Sequence, residues 1–326
     1  MVPETASSDR PRRDVVSFVR RGTRLSRSRQ EAWDRLADDF VLDVPRGERD
    51  TIPAPGARLD PREVFGRDLA GTVPLVVEIG SGQGENIAAA AAAHPERDHL
   101  AFEVYLPGIA QSLDRIERAG SPGNVRLVPL DALHSLPTLL PAGSIRELWI
   151  FFPDPWHKSR HHKRRLVNPP LLDAVLPLMA EGGVLRLATD WAEYAVHMRT
   201  VLDADPRLGS LHPGGPRPAG EPSDTVPEET PERGWAPRFG GRVLTSFERK
   251  ALDAGRLVWD LAYEVRGSRP EPGYLTRKRP RRAPEPAPGT QDRPRRPLLA
   301  PSSRARSAGP IPIPRRPSAR PRKTSP

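Results

Sequence analysis

Short apolar runs recur along the middle of the chain, separated by stretches whose apolar residues fall at helical spacing. Five runs, at residues 74–79, 99–104, 125–129, 146–151 and 183–188, are nearly continuous and bounded by turn residues. Strands buried on both faces of a parallel sheet need that pattern, because neither face is left to water. Helices are predicted between them at residues 85–93, 108–119, a short piece near 136–140, and 170–179. Strand–helix alternation of this kind predicts an α/β domain with a mostly parallel sheet. Upstream, Trp33, Leu36 and Phe40 share one face of a predicted helix over residues 28–42, followed by a Pro- and Gly-rich linker over 45–71. Downstream, residues 205–234 read as a loop insertion, and the last elements are a helix from Phe247 and a strand over 257–265.

Composition changes this picture at the ends. Only 37% of the 326 residues are hydrophobic, and 41 are proline. The net charge of +10 is unevenly placed. Residues 269–326 hold 16 Lys and Arg, 3 Asp and Glu and 15 Pro, a net +13, which leaves residues 1–268 at about −3. A Pro- and Arg-rich stretch of this kind cannot bury enough apolar surface to offset its ordering entropy, so it is expected to be disordered. It would serve either as a loose polyanion-binding arm, releasing counterions from phosphates, or as a solubilising tail. Residues 1–15 are expected to be disordered too, with a basic arm, helix and linker over 16–70 and the α/β domain over 71–268.

There is no cysteine, which excludes disulfides, thiolate metal sites and cysteine-nucleophile mechanisms. The first residues lack the apolar core of a secretory leader, and the longest apolar run, residues 87–93, is too short to span a bilayer. A cytoplasmic protein with no membrane association is expected.

The first predicted strand ends in Glu78-Ile79-Gly80-Ser81-Gly82-Gln83-Gly84-Glu85 and opens into an alanine-rich helix. Glycines here let backbone N–H groups and the helix N-terminus approach a ligand closely. The spacing of Gly80, Gly82 and Gly84 is tighter than the dinucleotide fingerprint. Glu78 would suit an ammonium group and would repel a pyrophosphate. Glu103, at the end of the second strand, lies 25 residues after Glu78, where ribose hydroxyls are held in nucleoside-binding α/β folds. Asp131, at the end of the third, could accept from an adenine amino group. One carboxylate at a strand end means little. Three at successive ends of one sheet edge point to S-adenosylmethionine as the bound cofactor.

The fourth strand runs into Phe151-Phe152-Pro153-Asp154-Pro155-Trp156-His157-Lys158-Ser159-Arg160-His161-His162-Lys163-Arg164-Arg165. The prolines restrict the backbone around Asp154, Trp156 offers a flat face for a nucleobase, and five Lys and Arg follow within eight residues. An acid, an aromatic face and a cation run suit a base presented on a phosphate chain. A solvated basic loop is the plainer alternative. The histidines lack partner carboxylates at ligand spacing and sit among cations, so no metal is expected.

That segment closely resembles the bacterial tRNA (guanine-N7-)-methyltransferase family. So do Ser17-Phe18-Val19-Arg20-Arg21, the run from Phe102 to Gly108, Ala188-Thr189-Asp190-Trp191 with Tyr194, and Thr245-Ser246-Phe247-Glu248 followed by Trp259-Asp260. The resemblance covers most of residues 16–42 and 74–266 and departs at the 205–234 loop and the basic tail. It implies a Rossmann-like class I methyltransferase fold, S-adenosylmethionine as methyl donor, and tRNA as partner, with guanine 46 of the variable loop as the position modified. A monomer is expected, with no protein partner evident. Glu78, Glu103, Asp131 and Asp154 would contact the donor or the reaction centre, Asp154 as the catalytic residue. Lys158, Asp190, Thr245, Ser246, Phe247 and Glu248 would contact the substrate, and Arg160, His161, His162, Lys163, Arg164 and Arg165 the RNA.

Guanine N7 carries a lone pair and no proton, so its methylation is mainly a positioning task, with Asp154 orienting the base and stabilising charge on it. Asp190-x-x-Glu193 and Thr245-x-x-Glu248 also match the helix capping box, and capping can coexist with substrate contact. Three other functions stay open at this point. A nucleotide-dependent oxidoreductase is disfavoured by the glycine spacing and Glu78. A non-catalytic RNA-binding protein is disfavoured by the full set of pocket acids. A small-molecule methyltransferase is disfavoured by the cations after Asp154.

Overall fold

The five continuous apolar runs become the strands β1 Leu75–Ile79, β2 Asp98–Phe102, β3 Val125–Val128, β4 Ile145–Phe151 and β5 Met179–Thr189, and β1 and β2 are buried along their whole length. In this computed structural model, residues 17–18, 22, 24–66, 73–213 and 235–267 are described. The stretches 1–15 and 269–326 and most of the 205–234 insertion lie outside them.

The sheet has seven strands in the order β3-β2-β1-β4-β5-β7-β6. The first five run parallel, whereas β7 (Trp259–Val265) is antiparallel to β5 and to β6 (Leu208–Ser210). This is the Rossmann-like order of class I methyltransferases. Chain order reverses between β1 and β4, and such a switch point opens a crevice at the carboxyl ends of the strands.

Alternation along β1 decides what each face carries. Leu75, Val77 and Ile79 join one core with α5 (Ala132–Leu139), α6 (Pro169–Val175) and α7 (Ala192–Asp203). Val76 and Glu78 face the other way, towards the side covered by α1 (Arg27–Phe40), α3 (Glu85–Ala93) and α4 (Leu106–Arg118). The Glu78 carboxylate therefore lies on the same face as Val76 and Trp149.

Several expectations are corrected in detail. The 45–71 linker contains a short helix, α2 Pro61–Phe65, whose start is capped by Asp60 accepting from the Arg62 N–H. The 205–234 loop begins with the edge strand β6, and α7 fills the gap before it. The strand predicted at 183–188 reaches back to Met179, so the helix before it ends at Val175 and closes with a single 3-10 turn. Met179 pairs with Ile145 at the start of β4, whereas β7 pairs with Val184–Thr189 only, and no local pattern announces partners so remote in sequence. The final helix, α8, spans Ser246–Asp253.

Candidate active site

The crevice holds a cavity of about 250 Å³ lined by the glycine loop, the ends of β1 to β4 and the start of α8. Glu78, Glu103, Asp131 and Asp154 all line it, together with Thr245 and Phe247. Residues far apart in the sequence are thus brought to one place.

Gly80, Gly82 and Gly84 all have positive φ, between 59° and 74°. At Gly84 both reasons for glycine apply, since a Cβ there would lie 2.4 Å from Ser112 Oγ on α4. Gly82 is held from the other side, where its N–H donates to Glu103 Oε2 at 2.7 Å. Glu103 Oε1 accepts from the Tyr105 N–H at 2.8 Å. The carboxylate thus shapes the loop that borders the cavity.

Glu78 is 4% exposed, and its Oε2 has no hydrogen-bond partner. Its Oε1 accepts from Asn86 Nδ2 at 3.5 Å. Burial pushes this carboxyl up to about 8, Asn86 opposes the shift, and the nearby Glu103 charge adds to it. A buried carboxylate oxygen without a donor is costly unless a cationic ligand supplies one, which fits the ammonium of a methionine moiety. Ser81 Oγ is a second buried oxygen without a partner. Asp131 caps α5, accepting from Leu133 N–H at 3.2 Å, and faces His134 Nδ1 at 2.6 Å. The donor set therefore fits S-adenosylmethionine, with Glu78 at the amino group, Glu103 at the ribose and Asp131 towards the base.

Asp154 stands exposed at the cavity mouth on a bent segment. Phe152 and Trp156, neither a glycine, have φ of 52° and 49° on either side of Pro153-Asp154-Pro155. Left-handed conformations of bulky residues cost about 1–3 kcal/mol each and persist only where packing enforces them. The enforcing contacts come from the cation run. Arg164 lies 3.7 Å above the Trp156 ring and donates to the Phe18 carbonyl. The indole N–H of Trp156 donates to the Ser17 carbonyl at 3.1 Å, and His161 stacks on the ring edge. Arg165, only 2% exposed, donates from Nε to the Pro155 carbonyl at 3.0 Å and reaches Glu193.

These contacts correct the expected division of labour. One face of Trp156 is covered by Arg164, which leaves only the other for a nucleobase. Arg165 is too buried to reach RNA and instead fixes the loop. His162 lies beside Arg165 and Glu193. Lys158, Arg160 and Lys163 remain exposed to solvent on the 3-10 helix Ser159–Arg164 and its N-cap. The His161 imidazole is held below its ordinary value by partial desolvation and then by Arg160, Arg164 and the two lysines. Among the described residues, no group of His, Asp and Glu is placed to hold a metal.

The two capping-box matches part company. Thr245 caps α8, accepting from the Glu248 N–H at 3.2 Å. Asp190 instead accepts from Arg256 Nε at 2.8 Å, and the N-cap of α7 is Trp191. The Glu248 side chain points away from the cavity. It binds Arg238 and Arg242, and Arg242 also binds Asp260 on β7. Arg242, with its side chain fully buried, lies over the rings of Phe151 and Phe152. Burial acts to raise the Glu248 carboxyl, but the two arginines outweigh it and hold it below its ordinary value. Both Glu248 oxygens are thus held by arginines, whereas Phe247 is 50% exposed beside Gly82.

Nothing local to the chain singles out Arg242, Glu85 or Asn86. Arg242 is one cation among many, and only its burial between two acids distinguishes it. Glu85 and Asn86 form the first turn of α3, where an acid is expected from the helix dipole alone. Arg20 and Arg21 lie outside the described residues, and no helix among the described residues is long and apolar enough to cross a membrane.

Residues 72–261 match the protein family described as "Putative methyltransferase". A tRNA (guanine-N(7)-)-methyltransferase of Paenarthrobacter aurescens is 43% identical over 283 residues, covering 77% of this chain and 91% of that protein. That of Cutibacterium acnes is 47% identical over 257 residues, covering 79% and 85%. That of Arthrobacter sp. is 44% identical over 277 residues, covering 76% and 85%. With its donor cavity, its strained Pro-Asp-Pro-Trp loop and these relatives, the chain belongs to the tRNA (guanine-N7-)-methyltransferase family, whose methyl donor is S-adenosylmethionine.

Proposed function

We propose that this enzyme methylates N7 of guanine 46 in the tRNA variable loop. The observation that carries the proposal is the meeting, in one cavity, of the partnerless Glu78 oxygen with Asp154, three exposed cations following on the same segment. When bound, S-adenosylmethionine supplies an electrophilic methyl on sulfur. The in-plane lone pair of guanine N7 would take that methyl, with S-adenosylhomocysteine as the leaving group and no proton lost. The positive charge passes to the purine.

The protein's task is alignment and charge. Asp154 orients the guanine through its N1–H and amino group and offsets the growing charge. Lys158, Arg160 and Lys163 hold flanking phosphates, and Phe247 offers an apolar wall at the mouth. The enzyme acts in the cytoplasm, where its tRNA substrate is found.

The test is methyl transfer from labelled donor to unmodified tRNA transcript, wild type beside Asp154→Ala. The wild type should yield 7-methylguanosine that disappears when guanine 46 is replaced. The variant should lose at least about a hundredfold in rate while melting at the same temperature. Donor binding without any label in RNA would sink the assignment in favour of a non-catalytic RNA-binding protein.

A further inference from the structure

The glycine loop and the start of α8 are separated by about 160 residues in sequence, yet two side chains of the first turn of α3 tie them together. Glu85 Oε2 accepts from the Ser246 N–H at 2.7 Å, and its Oε1 accepts from Arg115 at 3.1 Å. Arg115 also donates to the Gln83 carbonyl at 2.7 Å, so one guanidinium holds both the loop and its acid. Asn86 is 3% exposed, and its Oδ1 accepts from the Val243 N–H at 3.3 Å. The Asn86 amide in turn donates to the Oε1 of Glu78. Backbone N–H groups on both sides of Thr245 are therefore held by the two residues that follow the donor loop.

We propose that Glu85 and Asn86 are positioning residues that fix the acceptor edge, residues 243–247, against the donor cavity and make its order depend on donor occupancy. The inference rests on the methyl-transfer reading above and deepens it. Neither side chain need touch the reacting atoms. Their effect runs through backbone hydrogen bonds that set where Thr245 and Phe247 stand over the glycine loop. A ligand at the free Glu78 oxygen tightens Glu78, then Asn86, then the 243 amide. In-line transfer is sensitive to displacement, and a shift of about 1 Å can cost about a hundredfold in rate.

The test compares Glu85→Ala, Glu85→Gln and Ser246→Pro in the full chain. Glutamine keeps an oxygen that can accept from Ser246. Proline removes the donated N–H at the first position of α8, where it is compatible with the helix and with the extended Thr245 before it. Glu85→Ala and Ser246→Pro should each lower kcat about 10- to 100-fold, with the Kd for S-adenosylhomocysteine changed less than about threefold. Glu85→Gln should stay within about threefold of wild type.

Amide exchange supplies a readout that needs no transfer. In the wild type, S-adenosylhomocysteine should slow exchange across residues 243–248, and both disrupting variants should lose that protection at residues 247–248, beyond the broken Glu85–Ser246 bond. Retained kcat in Glu85→Ala and Ser246→Pro, or donor affinity falling in step with rate, would overturn the proposal. So would protection that persists in both variants. A wild type that binds donor but transfers no methyl would sink the activity reading alone, since exchange still reports on the tie.

Discussion

The two sides of the cavity are built by different means. On the donor side, Glu78, Glu103 and the three glycines sit at strand ends and in tight turns, so the backbone itself places them. On the acceptor side, the Pro-Asp-Pro-Trp segment and the start of α8 are loop and helix edge. They are held by side chains from elsewhere: Arg164 and Arg165 on one flank, the Arg242–Glu248–Asp260 cluster behind, and Glu85 and Asn86 beneath. A surface assembled from tertiary contacts can be unmade by one substitution far from the reacting atoms, whereas a strand end cannot.

Arg242→Ala should break the contrast most severely. It leaves Asp260 buried without its cation and Glu248 with Arg238 alone, which costs about 3–5 kcal/mol and lowers Tm by roughly 10 °C. Thermal and urea unfolding check this. A change under about 2 °C would mean that the cluster does not hold α8.

On the donor side, Glu78→Gln should have a smaller and oppositely signed effect on stability. The folded carboxyl lies near 8, above its ordinary 4.5. Its protonated form therefore favours the fold at low pH, and that contribution is lost as pH rises from 4.5 towards 8. The donor-free variant should match wild type near pH 4 and melt higher at pH 8. Its donor affinity at pH 8 should fall about tenfold, since only the charged carboxylate pairs with an ammonium. In the wild type that affinity should rise between pH 6 and 8, and calorimetry across this range would show a flat profile in the variant.

The smallest effect is expected at the rim. Replacing Lys158, Arg160 and Lys163 together by alanine should leave Tm unchanged and reduce the salt dependence of tRNA binding by a log–log slope of about 2–3. Arg165→Ala should do the reverse, losing stability with little change in slope. Filter binding at several salt concentrations, beside melting curves, separates the two kinds of cation.

How much of this was legible in advance follows the same division. The run Leu75–Ile79 is apolar enough to be read as a buried strand, and the glycines after it carry their turn with them. The β5–β7 pairing, the edge strand β6 and the short helix Pro61–Phe65 were missed, because each depends on a neighbour remote in sequence or is too short to show a period. Arg164, Arg165 and Glu248 were read as outward-facing because charge normally is. Burial reverses that reading, since a charge taken from water must be paired inside.

By itself the sequence determined the α/β alternation, the acids at successive strand ends and the family motif around Asp154, because these are local features of chain stiffness, periodicity and spacing. Only the tertiary structure decided which cations face solvent and which brace the loop, that Arg164 covers one face of Trp156, and that Glu85 and Asn86 join the two halves of the site. Those outcomes depend on which distant groups share a desolvated space, and the strength of a charge or hydrogen bond depends on that space more than on the residue that carries it.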